Sequence, residues 1–288
     1  MRHILPKSLV LITAAAGGLG KAFAAECASR GWDLFLTDIR SDLLKPLAEG
    51  LTRMYPVKVA YFPADLTVAE DRDILWREID RLGLCFNFII NIAGMEYEGA
   101  FSERSIDELR TILRLNVEAG VEMTSQVLRR RVPDSPLYIL NVSSLAGFYP
   151  MPMKAVYAAS KRFIIDYSLA LREELRSSGG HVTVLCPAGL PTSERSIKGI
   201  ERQGIIGQIT MKNVGAVAYR AIQLTLADRP VYIPGFVNRF VHFVSSFVPP
   251  GWRTTFIWRR WHKAHLRAAR PADLTNINKS DDNPLISR

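Results

Sequence analysis

The sequence has little cysteine and no long hydrophobic run. Its three cysteines are scattered along 288 residues, without Cys-x-x-Cys or Cys/His spacing: Cys27, Cys85 and Cys186. Such a set argues against a disulfide scaffold and a metal site, and it favours a reducing, cytoplasmic setting. No run of eighteen apolar residues occurs, so we expect no membrane-spanning helix.

Acidic residues are scarce near the C-terminal end. The formal net charge is +9, and residues 251–288 hold eight Lys/Arg against three Asp. More than half of the excess positive charge therefore lies in this tail, which predicts an acidic partner or surface for it. No basic stripe runs through the rest of the chain, so we expect no nucleic-acid binding.

Apolar runs and amphipathic segments alternate along the chain, and 48% of its residues are hydrophobic. The apolar runs predict strands at Ser8–Ala14, Asp33–Asp38, Val57–Pro63, Phe86–Asn91, Leu137–Val142, His181–Cys186 and Val231–Ile233. Helical periodicity predicts helices at Leu19–Arg30, Ser41–Met54, Ala69–Arg81, Ser105–Arg130, Met153–Ser177 and Val214–Ala227. This order is typical of an α/β doubly wound parallel sheet, the Rossmann fold.

The alternation is broken in two places. Leu190–Met211 is an isoleucine-rich interruption, and after Pro234–Gly235 the chain turns aromatic and basic. We therefore predict one Rossmann-type catalytic domain over 1–235, a helical, basic and aromatic extension over 236–270, and a disordered tail over 271–288.

A glycine-rich turn joins the first predicted strand to the first helix. Besides three alanines it contains Thr13, Gly17, Gly18, Leu19 and Gly20. Glycines let the backbone approach a pyrophosphate, and the helix N-terminus offers free N–H groups and the positive end of the helix dipole. The turn predicts a dinucleotide site, although an ordinary tight turn has the same composition.

Asp38 closes the second predicted strand, eighteen residues after Gly20. A carboxylate there accepts hydrogen bonds from the adenosine ribose and repels a 2′-phosphate, which favours NAD over NADP. NADP stays an alternative cofactor, because Arg40 could turn toward its 2′-phosphate.

Polar and small residues follow the third and fourth strands. Asp65 and Leu66 come after the third strand, and Asn91, Ala93 and Gly94 come at the end of the fourth. An open α/β sheet binds its ligands at the carboxyl ends of its strands, so we expect these residues near the cofactor.

Tyr157 and Lys161 stand four residues apart, and Ser144 lies thirteen residues before Tyr157. On one helix face an ammonium favours the phenolate, which lowers the pKa of the phenol and makes Tyr157 an acid/base at neutral pH. Ser144 at a strand end could donate a hydrogen bond to the substrate oxygen.

With these motifs the chain resembles the short-chain dehydrogenase/reductase family over roughly residues 7–235. Thr13, Gly18 and Gly20 match its glycine motif, and Asn91, Ala93 and Gly94 match its Asn-Asn-Ala-Gly. The positions similar to the family's other functional residues are Asp65, Asn116, Ser144, Tyr157, Lys161, Pro187 and Thr192.

The resemblance implies roles for several residues. Asp65 would contact adenine, Lys161 the nicotinamide ribose and Thr192, in the stretch that begins at Pro187, the nicotinamide carboxamide. Asn116 would hold a water that feeds protons to Lys161. Two alanines depart from the pattern: Ala14 and Ala188 stand where the family has glycine, so each has a negative φ or reshapes its turn.

These features predict an NAD(P)-dependent enzyme that interconverts a secondary alcohol and a ketone. Its substrate is expected to be hydrophobic, that is, steroid-, acyl- or lipid-like. The resemblance also implies a homodimer or homotetramer. A non-catalytic NAD-binding redox sensor is the alternative, and the intact Ser, Tyr, Lys and Asn set argues against it.

The aromatic residues of the extension follow helical spacing: Phe236, Phe240, Phe243, Val244 and Phe247. Such a stripe is usual for a helix packed on its own domain or on a partner subunit. Attachment to a lipid surface is the other explanation, and the protein would then be a membrane-associated lipid ketone reductase.

Overall fold

A computed structural model describes residues 8–190 and 213–268, and for residues 260–268 the backbone alone. Its strands are β1 (Leu9–Thr13), β2 (Asp33–Asp38), β3 (Val59–Pro63), β4 (Phe88–Asn91), β5 (Leu137–Val142), β6 (Gly180–Leu185) and β7 (Val231–Tyr232). Its α-helices are α1 (Gly18–Ser29), α2 (Ser41–Met54), α3 (Ala69–Arg81), α4 (Ile106–Leu113), α5 (Ala119–Arg129), α6 (Ala155–Leu175), α7 (Val214–Leu226), α8 (Phe236–Ser246) and α9 (Pro250–Ala268).

The seven described strands form one parallel sheet in the order β3-β2-β1-β4-β5-β6-β7. The order reverses between β1 and β4, where Val10 pairs with Phe88 and Ile12 with Ile90. In an open parallel sheet this switch point leaves a crevice at the carboxyl ends of the strands. The predicted doubly wound Rossmann fold is therefore confirmed, and the crevice lies where the glycine turn, Asn91 and Ser144 follow their strands.

Hydrophobic layers cover both faces of the sheet. One layer packs side chains of α1 and α7, such as Phe23 and Ile222, on the inward faces of β1 and β4. The other packs α3 and α5, through Trp76 and Met123, on the opposite face. Because the central strands are buried on both sides, they read as continuous apolar runs in the sequence.

The helix predicted over Ser105–Arg130 is interrupted. It begins with a capping box, in which Ser105 and Glu108 bond reciprocally, and it then widens into a π-helical turn over Arg114–Glu118. Asn116 sits in this turn, and its side chain bonds the backbone N–H and C=O of Met95. A π turn within an α-helix often marks a functional position.

Gly20 packs α1 against the turn that precedes it. A Cβ there would lie 2.2 Å from the Ala14 carbonyl oxygen and 2.7 Å from that of Ala15. We expect Gly20→Ala to lower the free energy of unfolding by about 1–3 kcal/mol, because backbone must move to admit the methyl group. Urea denaturation measures this loss.

Gly50→Ala is the matched control for that experiment. Gly50 lies inside α2, and a Cβ there meets nothing within 4 Å. Alanine should therefore stabilise α2, by about 0.5–1 kcal/mol, through its higher helix propensity. Equal effects of the two substitutions would contradict the tight packing at Gly20.

Neither a membrane span nor a metal cluster occurs in the described part of the chain. None of the helices in this part of the chain combines the length and the hydropathy needed to cross a bilayer. No group of three or more His, Cys, Asp or Glu within the described ranges could hold a metal ion. The isoleucine-rich stretch after Leu190, including Thr192, and the tail predicted to be disordered lie outside the described residues.

Candidate active site

The glycine turn leaves the start of α1 open. Gly17 precedes the helix, and no side chain caps the first-turn N–H groups. A Cβ at Gly17 would lie 3.3 Å from the Ala14 carbonyl oxygen, a tight approach, and 3.6 Å from Arg40 Nη2, so glycine relieves crowding at this turn. Free N–H groups at a helix N-terminus, on an open backbone surface, fit the pyrophosphate of a dinucleotide.

Ala14 adopts a conformation that usually belongs to glycine. Its φ is +49°, which costs an L-residue about 1–2 kcal/mol. Its carbonyl accepts a hydrogen bond from Gly17 N at 3.1 Å, which closes the turn. Ala188 is not among the described residues with positive φ, so only the first of the two alanine departures carries strain.

The Asp38 carboxylate is buried and bound within the protein. Arg40 donates from Nε and Nη2 to its two oxygens, both at 2.9 Å, and Ala16 N donates to Oδ2 at 2.9 Å. Burial opposes ionisation, but the hydrogen bonds from Arg40 and Ala16 hold the pKa of Asp38 below its ordinary value. The Asp38 carboxylate and the Arg40 guanidinium therefore form an ion pair next to the glycine turn.

Two residues expected at the cofactor bond inside the fold instead. Thr13 Oγ1 accepts from Ile92 N and Ala93 N at 2.9 and 3.0 Å, and so ties β1 to the segment after β4. Asn91 Nδ2 donates to Thr124 and Asn141, at 2.9 Å each. These side chains hold the floor of the crevice in shape, because their polar atoms point at neighbouring strands and at α5.

Asp65 and Leu66 lie at the turn between β3 and α3. Asp65 Oδ1 accepts from Thr67 N at 2.9 Å and Thr67 Oγ1 at 2.7 Å. Leu66 is buried, and its carbonyl accepts from Arg72 Nη1 at 2.8 Å. Asp65 thus shapes a turn at the β3 edge of the crevice, on the Asp38 side.

Tyr157 and Lys161 lie one turn apart on α6 and face the end of β5. Lys161 Nζ lies 6.0 Å from the centroid of the Tyr157 ring and donates to the Val142 carbonyl at 3.0 Å. A Cβ at Gly94 would lie 3.0 Å from Lys161 Nζ and 3.2 Å from Asn116 Oδ1. Gly94 therefore lets three elements, the β4 loop, the π turn and α6, meet at one point.

Ser144 stands immediately after β5. Its Oγ accepts from Ala146 N at 3.1 Å and begins the short 3₁₀ turn Leu145–Phe148. Ser144 also lies near enough to the Tyr157 phenol to favour its ionised form, which acts to lower the pKa of Tyr157. Phenol, hydroxyl and ammonium are therefore brought together, which is the arrangement needed to hold and protonate one substrate oxygen.

The pKa values differ from the expectation drawn from the sequence. Burial, reinforced by Glu96 and opposed by Ser144, raises the pKa of Tyr157 to about 12. Burial lowers the pKa of Lys161 to about 8. Burial and Glu96 both oppose ionisation of the phenol, and together they outweigh Ser144. The expected lowering of the Tyr157 pKa is therefore wrong.

The Asn116 side chain makes hydrogen bonds to other residues of the protein. Nδ2 donates to the Met95 carbonyl at 3.0 Å and to Ser160 Oγ at 2.9 Å, and Oδ1 accepts from Met95 N at 2.8 Å. Both amide hydrogens are thus committed, so a water at this point must be held by Oδ1 or by the backbone of the π turn.

An acidic pair beside Tyr157 was not expected from the sequence. Lys154 Nζ bridges Glu96 and Glu98, at 3.3 and 3.2 Å. Two carboxylates of the protein therefore surround the Lys154 ammonium. A cavity of about 30 Å³ opens here, lined among others by Phe101, Met153 and Tyr157.

A model of the family described as short chain dehydrogenase matches residues 8–199. The chain belongs to this family. The match covers the glycine turn, the crevice, Ser144 and the Tyr157–Lys161 pair. An NAD(P) cofactor follows for this chain.

Three known proteins illustrate the relationship. The very-long-chain 3-oxoacyl-CoA reductase of Bos taurus is 29% identical over 194 residues, 65% of this chain and 61% of the relative. The 17-beta-hydroxysteroid dehydrogenase type 3 of Homo sapiens is 29% identical over 201 residues, 66% of this chain and 64% of the relative. The chain thus spans less than two thirds of these relatives.

The third is a solved structure, a short-chain dehydrogenase from Sphingobium yanoikuyae in complex with NADPH. It superposes with a TM-score of 0.70 at 27% identity, over 92% of this chain and 99% of that one. The likeness therefore extends beyond the residues that the family model matches.

Proposed function

We propose that this protein interconverts a secondary alcohol and a ketone on a hydrophobic substrate, with Tyr157 as the acid/base. The observation that carries the proposal is the meeting of Ser144, Tyr157 and Lys161 at the end of β5, described above. Tyr157 gives its proton to the carbonyl oxygen in reduction and takes it back in oxidation. Ser144 positions that oxygen, and Lys161 supplies positive charge beneath it.

The nicotinamide cofactor, when bound, supplies or accepts the hydride. The residues proposed to hold it are the backbone of Gly17–Gly20 for the pyrophosphate, Asp38 for the adenosine ribose and Lys161 for the nicotinamide ribose. Asp65, Leu66, Ala93, Gly94 and Pro187 complete the proposed crevice, and Asn116 is proposed to anchor a water near Lys161. Thr13 and Asn91 are proposed as positioning residues, because their side chains bond to neighbouring segments and hold the floor of the crevice in shape.

A hydrophobic substrate is supported by the walls beside Tyr157. Phe101, Leu109, Ile112 and Met153 line the cavity beside Tyr157. The names of the relatives point to fatty acyl and steroid ketones. We expect kcat/KM to rise with substrate hydrophobicity, by up to roughly tenfold for two added methylenes, because each buried CH₂ contributes about 0.8 kcal/mol.

A series of ketones of graded chain length tests this substrate class. Each ketone is assayed by nicotinamide absorbance with both cofactors, and kcat/KM is plotted against chain length. A flat or falling series, with short ketones preferred, would remove the hydrophobic substrate and leave the alcohol–ketone chemistry standing.

We propose a preference for NAD that is set by Asp38. Its carboxylate repels a 2′-phosphate and also holds Arg40 away from one. Asp38→Gly removes the repulsion and frees the guanidinium, so the ratio of NADP to NAD affinity should rise by about tenfold or more. Titration of the protein with each cofactor, followed by nicotinamide or tryptophan fluorescence, measures the ratio.

Asp42→Asn serves as the control for that substitution. Asp42 acts on Arg40 electrostatically, and no hydrogen bond joins the two side chains in the structure. It should leave the ratio nearly unchanged. A parent protein that already binds NADP more tightly would overturn the assignment of Asp38.

We propose a cytoplasmic homodimer or homotetramer built through α4 and α6. Ile106 and Leu113 on α4 and Phe163 and Leu169 on α6 are exposed large hydrophobic residues. An apolar surface shared by two helices is typical of a subunit interface. The free thiol of exposed Cys85 is in keeping with a reducing compartment.

A further inference from the structure

Helix α8 presents its polar residues to the protein. Asn238 is 2% exposed and donates to the Pro234 carbonyl at 2.7 Å. The His242 ring packs on Phe148 with 4.0 Å between centroids, and Ser245 Oγ hydrogen-bonds the Tyr149 hydroxyl at 3.0 Å. These three residues, at i, i+4 and i+7, form the inner face of the helix.

The opposite face of α8 is aromatic and exposed. Phe236 and Phe247 are 73% and 74% exposed, and Phe240, Phe243 and Val244 lie between them on the same stripe. A surface helix in water ordinarily has the reverse arrangement, with its apolar stripe toward the core. On α9, Trp252 and Phe256 are also exposed.

The charge around this face has one sign. Residues 229–272 contain eight Lys/Arg and no Asp or Glu. Arg239 on α8 and Arg259 on α9 are exposed and flank the aromatic residues. Positive charge next to exposed Phe and Trp matches the boundary between anionic headgroups and acyl chains, where aromatic rings and basic side chains are both stabilised.

A second copy of the chain fits this face less well. A two-fold interface places a surface against itself, so each arginine of one copy would face the arginines of the other. With no acid in 229–272 to compensate, such pairing is repulsive. The exposed hydrophobic residues of α4 and α6, by contrast, have nearby acids such as Asp107 and Asp166.

We propose that α8 and α9 dock on the surface of an anionic lipid membrane. The helices lie in the plane of the interface, with Phe240, Phe243 and Phe247 inserted below the headgroups. Because the inner face of α8 contacts Phe148 and Tyr149, docking holds the segment after Ser144 one helix away from the bilayer. This inference rests on the shape and charge of the helices and does not require the proposed catalysis.

Vesicle co-sedimentation of the full chain tests the docking. The parent should bind vesicles of phosphatidylcholine with phosphatidylglycerol, and bind pure phosphatidylcholine at least about tenfold more weakly, because several basic residues lose their anionic partners. Raised salt should weaken binding to the anionic vesicles. Binding is measured as the free lipid concentration at half-saturation.

Two sets of variants separate the apolar and electrostatic contributions. Phe240→Ser with Phe243→Ser and Phe247→Ser should weaken binding by about 10²-fold or more, because three inserted rings are lost. Arg239→Glu with Arg259→Glu should weaken it by about 30-fold or more. The matched controls are Met54→Ser with Leu82→Ser, and Arg53→Glu with Lys58→Glu. They alter exposed residues elsewhere and should bind like the parent.

Failure of the parent to bind anionic vesicles would overturn the proposal. So would binding that the control sets reduce as strongly as the α8–α9 sets. Loss of a dimer in the serine variant, measured by sedimentation velocity without lipid, would assign the face to a second copy. Turnover of a short soluble ketone without vesicles is measured separately, so a failed membrane test leaves the proposed chemistry untouched.

Discussion

Replacing Tyr157 with Phe is expected to lower kcat by about 10²–10⁴-fold while cofactor affinity stays near that of the parent. The phenol is the hydroxyl acid placed one turn from Lys161, and Ser144 favours its ionised form. Phenylalanine keeps the ring and its packing but removes the proton. Steady-state rates with a reactive ketone, together with cofactor titration, measure the two effects.

Tyr167→Phe is the matched control for that substitution. Tyr167 lies on the same helix, is largely buried and stacks on Phe163, but it lies away from Lys161. Its loss should leave kcat within about threefold of the parent. A Tyr157→Phe protein that keeps more than half of the parent's rate would remove Tyr157 as the acid/base. A parent that binds cofactor but turns over no ketone would favour the redox-sensing alternative.

Replacing Lys161 with Met is expected to lower activity strongly while changing the free energy of unfolding little at neutral pH. Activity should fall by about 10²–10⁴-fold, because the positive charge under the reacting oxygen and the proposed contact to the nicotinamide ribose are both lost. Stability at neutral pH should change little. Removing a buried ammonium gains about 3 kcal/mol, as judged from its lowered pKa, and leaving the Val142 carbonyl unpaired costs about 1–3 kcal/mol.

The free energy of unfolding of the parent protein should depend on pH through Lys161. In the folded protein the pKa of Lys161 lies near 8, below its ordinary value of 10.5. Below pH 8 the lysine is charged in both states, so the burial penalty is fully present. As pH rises from 8 to 10.5 the folded state loses its proton first, and the parent gains stability.

Any stability advantage of Lys161→Met should therefore shrink over that range. Urea denaturation of both proteins across the range measures it, with Arg162→Met, on the exposed side of α6, as the control. An advantage that grows with pH would contradict the buried, lowered pKa.

The sequence predicted the order of elements well because each strand is an uninterrupted apolar run. The bounds of β2, α2, α3 and β5 agree with the prediction residue for residue. The π turn at Arg114–Glu118 was missed, because an apolar stripe of helical period continues through it. What fixes the turn is tertiary: Asn116 bonds the backbone of Met95, far along the chain.

The site was predictable as a set of residues and less so as a set of contacts. Spacing alone placed Tyr157, Lys161 and Ser144 together. It could not show that Thr13 and Asn91 turn toward neighbouring strands, since polar residues at strand ends serve ligands and structure alike. Nor could it show that Asp38 binds Arg40, or that burial raises the pKa of Tyr157.

The extension shows another limit of pattern analysis. Helical spacing correctly predicted that Phe236, Phe240, Phe243 and Phe247 share a face, but the usual inference turns such a face inward. In the structure the face is exposed, because Asn238 and Ser245 make the contacts with the domain. The direction of a stripe depends on which face finds partners, and spacing carries no information about that.

Isotope transfer tests the central claim most directly. The parent protein is incubated with a hydrophobic ketone and a reduced nicotinamide cofactor that carries deuterium at C4, and the alcohol product is analysed by mass spectrometry. We expect one deuterium on the carbinol carbon, retained in ordinary water, and about 10²–10⁴-fold less labelled alcohol in the same time with Tyr157→Phe. The cofactor is labelled at both C4 positions in turn. Alcohol that carries no deuterium with either labelled cofactor would contradict direct hydride transfer. Equal formation of alcohol by Tyr157→Phe would contradict the role of Tyr157.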